Sequence, residues 1–388
     1  MAFILDPNLE QFSTPRQWEV LTALTQYDSE RIAAEAIGCN RRVFHTAKRA
    51  VALKAAMAGY APEYDLTHQS PPGYSLKGTS TLYGPDGEMK AQWVKTDRDR
   101  EAQEQAMREA VAALSEDIPR AKPIKAPKAT IDDLCNLMVL TDYHLGMLAW
   151  HRETGENWNI DIAEELLVKC FAHMLAVAPD AKTGIVCQLG DFLHFDGILS
   201  VTPTSNHVLD ADSRFAKIVA VAIRALRQVI DMALAKHEHV HVIMAEGNHD
   251  MASSIWLRQM FAALYEKDPR VTVETTPLPY YAYQHGETAL FFHHGHLKKF
   301  AGLTSLFAAQ FPKVWGNTVK RYGHCGHLHH THVKEDDGII LTQHQTLAAK
   351  DAYAARGGWF AERKTSCITY HKEHGQVAVN HVTPEMIE

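Results

Sequence analysis

Val240-His241-Val242-Ile243-Met244-Ala245-Glu246-Gly247-Asn248-His249-Asp250 reads as a buried strand that ends in polar residues. The β-branched and apolar run from Val240 to Ala245 predicts the strand, and the residues after Asp250 read as helix. An Asn, a His and an Asp at the end of such a strand are poor packing residues. Asn offers a neutral oxygen to a metal, His a proton or a hydrogen bond, and Asp can fix the orientation of an imidazole. The tetrapeptide alone is also ordinary turn chemistry. Its weight comes from what stands before and after it.

Three other predicted strands end in the same residue types. Asn136–Leu140 runs into Thr141-Asp142-Tyr143-His144, where an extended backbone would point Asp142 and His144 to one side. Gly184–Leu189 runs into Gly190-Asp191-Phe192-Leu193-His194, and Thr288–Phe292 into His293-His294-Gly295-His296. Gly326-His327-Leu328-His329 again sets two histidines two residues apart. Ligand types gathered at the carboxyl ends of several strands are where open α/β sheets build their sites. A mixed oxygen and nitrogen set without Cys argues against structural zinc. It suits Mn²⁺, Fe or Zn²⁺ better than Mg²⁺, which prefers oxygen.

The totals agree with a metal enzyme. The chain has 388 residues and is 46% apolar, enough for a sizeable core and for two domains. Its formal charge is −7, so affinity for nucleic acid must come from a local patch. The six cysteines form no CxxC pair and read as free thiols, which implies a reducing, cytoplasmic location. Met1 to Gln26 has no sustained apolar run, so no secretory leader is expected, and no run reaches membrane-spanning length. The 24 histidines are the unusual number, because so many gather at strand ends.

Before the α/β region, Ser13-Thr14-Pro15 opens one predicted helix and Asp28-Ser29 a second. Gly38-Cys39-Asn40 is a turn, and a third helix is predicted from Arg41 to Met57. This order is the helix-turn-helix pattern. Residues 1–60 are therefore expected to be a small DNA-binding domain with Arg41, Arg42, Lys48 and Arg49 toward phosphate; the plainer reading is a three-helix assembly module. Residues 61–133 are expected to hold a hairpin (Tyr74–Tyr83 and Met89–Thr96 around Gly84-Pro85-Asp86-Gly87), a charged helix over 97–117 and a Pro/Lys-rich linker over 120–128. Residues 134–388 are expected to be the catalytic α/β domain.

The ordered set DxH, GDxxH, GNHD, HG and GHxH, over roughly residues 136–335, resembles the calcineurin-like metallophosphoesterase superfamily, in particular its repair-exonuclease branch. The resemblance implies a four-layer α/β/β/α sandwich and two divalent ions. By position, Asp142, His144 and His329 would bind one ion, Asn248, His294 and His327 the other, and Asp191 would bridge them. His249 would be catalytic without ligating, and Asp250 would orient it. His293 and His296 compete with His294, which is chosen because it directly precedes Gly295. His330 competes with His329, but only His329 completes GHxH. His194 is read as lying behind the ligands or facing substrate. The nuclease members favour Mn²⁺. The N-terminal helices and the C-terminal tail resemble phage and prophage proteins more loosely.

A phosphodiester is anionic and resists water, and two cations about 3.5–4 Å apart can clamp it and activate the attacking water. The expected function is thus a metal-dependent phosphodiesterase with DNA as partner, most simply a nuclease. The alternatives are a phosphatase or phosphodiesterase on nucleotides or other small phosphoesters, and a DNA-binding regulator with an inactive phosphoesterase fold. His207, in the long polar connection Phe195–Ser213, and Arg356, in Arg356-Gly357-Gly358-Trp359, are expected to face substrate. The competing reading of the latter is a tight turn with Trp359 buried. No membrane partner is expected, and a homo-oligomer is left open.

Overall fold

The computed structural model describes residues 5–27, 29–62, 66, 74–83, 89–98, 124–203, 205 and 207–387. The chain divides into two compact units, residues 1–105 and 106–388. In the first, helices α1 (Pro15–Gln26), α2 (Glu30–Ala36) and α3 (Arg41–Met57) each start on a side-chain cap. Thr14 and Gln17 form a reciprocal capping box, and Ser29 and Asn40 accept the first free N–H groups of α2 and α3. Val20, Leu24, Ala33, Phe44 and Ala47 close a small core between them. Strands β1 (Tyr74–Tyr83) and β2 (Met89–Arg98) pair antiparallel. The hairpin turn at 84–87 and the helix expected over 97–117 lie outside the described residues, apart from Asp97 and Arg98, which end β2.

The second unit is built on two sheets. The larger has the order β13-β12-β3-β4-β5-β6, with β3 (Ile131–Leu140), β4 (Ala181–Gln188), β5 (His239–Met244) and β6 (Val271–Val273) parallel. Strand β12 (Thr365–His371) joins β3 antiparallel, and β13 (Gly375–Val382) closes that edge. The smaller sheet has the order β10-β11-β9-β8-β7. Its strands are β7 (Tyr281–His285), β8 (Thr288–Phe292), β9 (Lys320–Cys325), β10 (His332–Asp336) and β11 (Ile339–Gln343).

Alternation along the strands decides how the layers stack. Cys135, Leu137 and Val139 of β3 meet Leu290 and Phe292 of β8 between the sheets. Met138 and Leu140 of the same β3 face outward, against helices α5 (Ile160–Val177) and α6 (Phe215–Lys236). Likewise Ala289 and Phe291 of β8 turn away to Leu303 and Phe307 of α8 (Leu303–Gln310). The result is α/β/β/α: helices, six strands, five strands, helices. Strand β8, buried on both faces, reads as a nearly continuous apolar run. Helix α7 (Met251–Leu264) follows β5, and short helices α4 (His151–Thr154), α9 (Pro312–Gly316) and α10 (Ala352–Gly357) stand on connections. Among the described residues no helix is long and apolar enough to cross a membrane.

Candidate metal centre

The parallel strands β3, β4 and β5 of one sheet and β8 and β9 of the other release their chains into five loops that carry the Asp, Asn and His residues. The loops are knitted to one another. Asp142 N–H donates to the Gly190 carbonyl, His144 N–H to Asp191, and Leu145 N–H to Phe192, so the ladder of β3 and β4 continues past their ends. The expectation of an extended Asp142–His144 segment is corrected here. Both residues are left-handed, with φ of 50° and 49°. Six described non-glycine residues have positive φ, and five of them are Asp142, His144, Asp191, His327 and His329. Such conformations cost about 1–3 kcal/mol each and persist where the surroundings enforce them.

Among the described residues the side chains form three clusters: two contain a carboxylate, and in the third His144, His194 and His249 stand together. Ligand atoms of Asp142, His144 and His329 lie within 4.8 Å of one another, and so do those of Asp191, His294 and His327. His329 Nε2 is 3.2 Å from Asp142 Oδ1, and His294 Nε2 is 3.1 Å from Asp191 Oδ2 and 3.9 Å from Asp142 Oδ1. The two carboxylates, both fully buried, thus share the space around His294. Thr141 and the His327 N–H donate to Asp142 Oδ2, at 2.6 and 2.9 Å, which leaves Oδ1 for a cation. Glycines allow this approach. A Cβ on Gly247 would strike Asp191, and one on Gly326 would strike Thr141.

Three buried polar atoms at the centre have no hydrogen-bond partner: Asp142 Oδ1, Asn248 Oδ1 and His294 Nε2. Orphaned buried groups are costly and call for an explanation. His294 Nδ1 donates to the Leu189 carbonyl at 2.9 Å, which leaves the lone pair on Nε2, the tautomer a metal ligand needs. An oxygen and nitrogen set with unpartnered lone pairs fits divalent cations. Neighbouring His293 and His296 also carry ring nitrogens without hydrogen-bond partners, Nε2 in His293 and both nitrogens in His296, but neither belongs to a cluster with a carboxylate, whereas His294 does. His330 is exposed and bonds the Leu328 carbonyl.

The buried carboxylates also draw protons onto the imidazoles beside them, so a proton and a cation compete for the same lone pairs. Burial alone would raise the Asp142 carboxyl, but His329 and His294 overcome it and hold the group below its ordinary range. Asp191 behaves alike against burial through His294 and His249. Burial would lower His294, yet Asp191 and Asp142 push it up to about 10. Two buried carboxylates recruit whatever positive charge stands beside them.

His249 donates its N–H to Asp191 Oδ1 at 2.8 Å, and its Nδ1 meets the His194 carbonyl at 2.8 Å. The expected Asp250–His249 contact is not made. Asp250 instead accepts four backbone N–H groups, from Asp191, Phe192, Leu193 and Gly247, at 2.7–3.2 Å. It pins the β4 loop to the β5 loop and positions both Asp191 and the turn that carries His249. Burial, with Asp191 and Asp196 nearby, still pushes its carboxyl up to about 8. His194 is buried beside His144 and His249, with its Nδ1 3.4 Å from His144 Nδ1, and burial pushes it down to about 3.

Other expected residues lie apart from these clusters. His207 is exposed, in a turn held by its backbone to Thr202. Arg356 is exposed and pairs with Glu153 at 3.2 Å, while Trp359 is 56% exposed, so the buried-turn reading does not hold. On α3, Arg41 and Lys48 approach Glu30 of α2 at 3.8 and 3.2 Å, and Arg42 and Arg49 are exposed. Sequence reading missed Thr346, whose hydroxyl donates to the Asp142 carbonyl at 2.6 Å, and Asp196, which caps the start of α7 through Ala252 and Ser253. Nothing marks Thr346 in the sequence; Asp196, two beyond His194, extends the polar series of that loop. A cavity of about 530 Å³ between β10–β11 and β12–β13, lined among others by His344, Lys364 and His381, contains none of the metal-set residues.

No family model matches the sequence, and no curated protein matches it. Among solved structures, the chain is similar to an archaeal phosphodiesterase at 11% identity, over 64% of this chain and 98% of that one, with a TM-score of 0.33. It is similar to a dimetal phosphatase from Danio rerio at 10% identity, over 65% and 99%, with a TM-score of 0.34. For Vps29 from Entamoeba histolytica, solved as a Zn²⁺ complex, the figures are 12% identity, 64% and 99%, and a TM-score of 0.25.

Proposed function

We propose that residues 134–388 are a dinuclear-metal-dependent phosphoesterase that hydrolyses phosphodiester bonds, with DNA as substrate. The observation that supports it most is the pair of adjoining clusters around two buried carboxylates, with two orphaned lone-pair atoms, Asp142 Oδ1 and His294 Nε2, among them. In this reading Asp142, His144 and His329 hold one ion, Asn248, His294 and His327 the other, and Asp191 stands between. Mn²⁺ is the first candidate, and Fe and Zn²⁺ suit the same atoms. Bound divalent ions supply polarisation of the phosphoryl oxygens and a nucleophile from water at neutral pH.

The chain's own residues do the rest. His249 commits Nδ1–H to the His194 carbonyl, so Nε2 is the atom that moves a proton. From there it would pass a proton to the leaving oxygen, a contribution of about 10²–10⁴-fold. Asp250 acts as a positioning residue, since its four N–H contacts fix Asp191 and His249 relative to each other.

DNA is favoured by the exposed Arg42 and Arg49 on the third of the N-terminal helices, read as a helix-turn-helix recognition helix. Glu30, which approaches Arg41 and Lys48, favours the second reading: an assembly module on a small-phosphoester hydrolase. The test supplies the full chain with Mn²⁺ and labelled single- and double-stranded DNA, beside bis(p-nitrophenyl) phosphate. Cleavage of DNA is expected, weakened in an Arg42→Glu/Arg49→Glu variant. Turnover of the small diester alone would replace the nuclease reading with the second one.

A further inference from the structure

Sixteen residues from two segments beside the metal centre gather the exposed aromatic side chains of the catalytic unit. Among the described residues of that unit, the aromatic side chains that are exposed are Trp150, Tyr353, Trp359 and Phe360, at 56%, 64%, 56% and 79%. All the others are buried or half-buried. Four large rings left in water, all on the 150–153 and 349–360 segments, are not a scattered surface average.

The rings are held in place. Helix α10 ends at Gly358 in the left-handed conformation (φ 69°), and Trp359 N–H returns to the Ala354 carbonyl at 3.1 Å. That turn sets Trp359 edge-on to Tyr353, with centroids 5.1 Å apart. The Arg356–Glu153 pair ties α10 to α4, so the two segments form one surface. Cations are interleaved: Lys350 Nζ stands 4.1 Å from the Phe360 centroid, and the Arg152 guanidinium lies 5.6 Å from the Trp150 ring.

Both segments start at the metal centre. Trp150 is six residues beyond His144, at most about 21 Å along the chain. The second segment leaves from Thr346, which is bonded to the Asp142 carbonyl. Exposed rings with cations among them, leading away from a phosphoryl site, match a strand whose bases are unpaired. Rings stack on base faces, and cations follow phosphates. A duplex hides its base faces and could offer only its phosphates.

We infer that Trp150, Tyr353, Trp359 and Phe360 form a stacking platform that binds single-stranded nucleic acid and leads it to the metal centre. This deepens the reading of the site as a phosphodiesterase by naming the form of its substrate.

The test uses the full-length metal-loaded protein and labelled phosphorothioate oligothymidylate and oligouridylate, which resist hydrolysis. Affinity is read by fluorescence anisotropy, with a duplex of equal length beside them. Single strands are expected to bind more tightly than duplex. The thymidylate and uridylate arms show whether the strand favoured is DNA or RNA. Trp150→Ala/Phe360→Ala should weaken single-strand binding by about tenfold per ring removed, and Trp150→Phe/Phe360→Tyr should restore it. Undiminished binding by the alanine variant overturns the platform. So does a change of sedimentation coefficient in that variant with oligonucleotide affinity intact, which would make the patch an interface between copies. Hydrolysis of bis(p-nitrophenyl) phosphate by the wild-type protein reports on the metal centre separately. A protein that binds the strands through these rings but hydrolyses no diester would retain the platform and lose the catalytic reading.

Discussion

The three N-terminal helices and the five metal-centre loops follow opposite rules. In the helices each local choice agrees with the fold: Thr14, Ser29 and Asn40 cap, and apolar residues at helical spacing face one core. In the loops local rules are broken together. Asp and His residues sit at positive φ, three carboxylates (Asp142, Asp191 and Asp250) are buried, and lone-pair atoms lack partners. A fold tolerates such violations where another gain offsets them, and the expected gain is the free energy of binding cations. Chemistry is therefore to be sought where the sequence disobeys its own structure, and stability where it obeys.

The largest effects should come from the atoms that violate most. Chelation, or Asp191→Asn, should lower turnover of bis(p-nitrophenyl) phosphate by about 10³-fold or more, since metal ions contribute several kcal/mol to the transition state. Elemental analysis should show metal lost while circular dichroism stays that of the wild type. Near-normal turnover with Asn at 191 would break the contrast at its centre. His249→Ala sharpens it: kcat should drop by about 10²–10⁴-fold with metal content unchanged. A loss of metal in that variant would make His249 a ligand.

The gathering of Asp142, His144, Asp191, His294, His327 and His329 was legible because their short motifs sit at strand ends that apolar runs announce. The four layers were legible only through the family resemblance. Strands β9 (Lys-Arg-Tyr-Gly-His-Cys) and β13 (Gly-Gln-Val-Ala-Val-Asn-His-Val) are too polar to stand out, and β7 (Tyr-Ala-Tyr-Gln-His) has no aliphatic β-branched residue. Asp337-Gly338, both at positive φ, is a two-residue hairpin turn of the favoured type that joins β10 to β11 and was readable but unread. The contacts of Asp250 were not readable at all. Its acceptor role depends on N–H groups of Asp191 to Leu193, 57 to 59 residues earlier, which only the packed loops bring near. Thr346 lies 204 residues from Asp142 and is hidden for the same reason.

Asp250→Asn tests a residue that belongs to both halves of the contrast. The carboxylate accepts from four N–H groups; an amide places its own NH₂ against some of them. Leaving buried donors unsatisfied costs about 1–3 kcal/mol, and loss of support behind a ligand costs about 10–100-fold in metal affinity. Isothermal titration with Mn²⁺ and thermal melting should show both losses together. Reduced kcat with unchanged metal affinity and stability would instead assign Asp250 a direct part in proton transfer.

The smallest effect belongs to the region that obeys local rules, and Thr14→Ala measures it. Thr14 accepts the Gln17 N–H at 3.2 Å, and the Gln17 side chain accepts the Thr14 N–H at 2.9 Å. Alanine removes the first bond and leaves the second without its counterpart. N-cap losses of this kind cost about 1 kcal/mol, which for a unit near 100 residues is about 4–8 °C in melting temperature. Val20, Leu21 and Leu24 of α1 pack into the first unit's core, so the loss is expected to stay local: calorimetry should show one transition moving down and the transition of the catalytic unit in place. Diester turnover should not change. If both transitions fall together, the two units unfold as one, and the obedient helices would then stabilise the strained loops through a cooperativity that their local caps do not reveal.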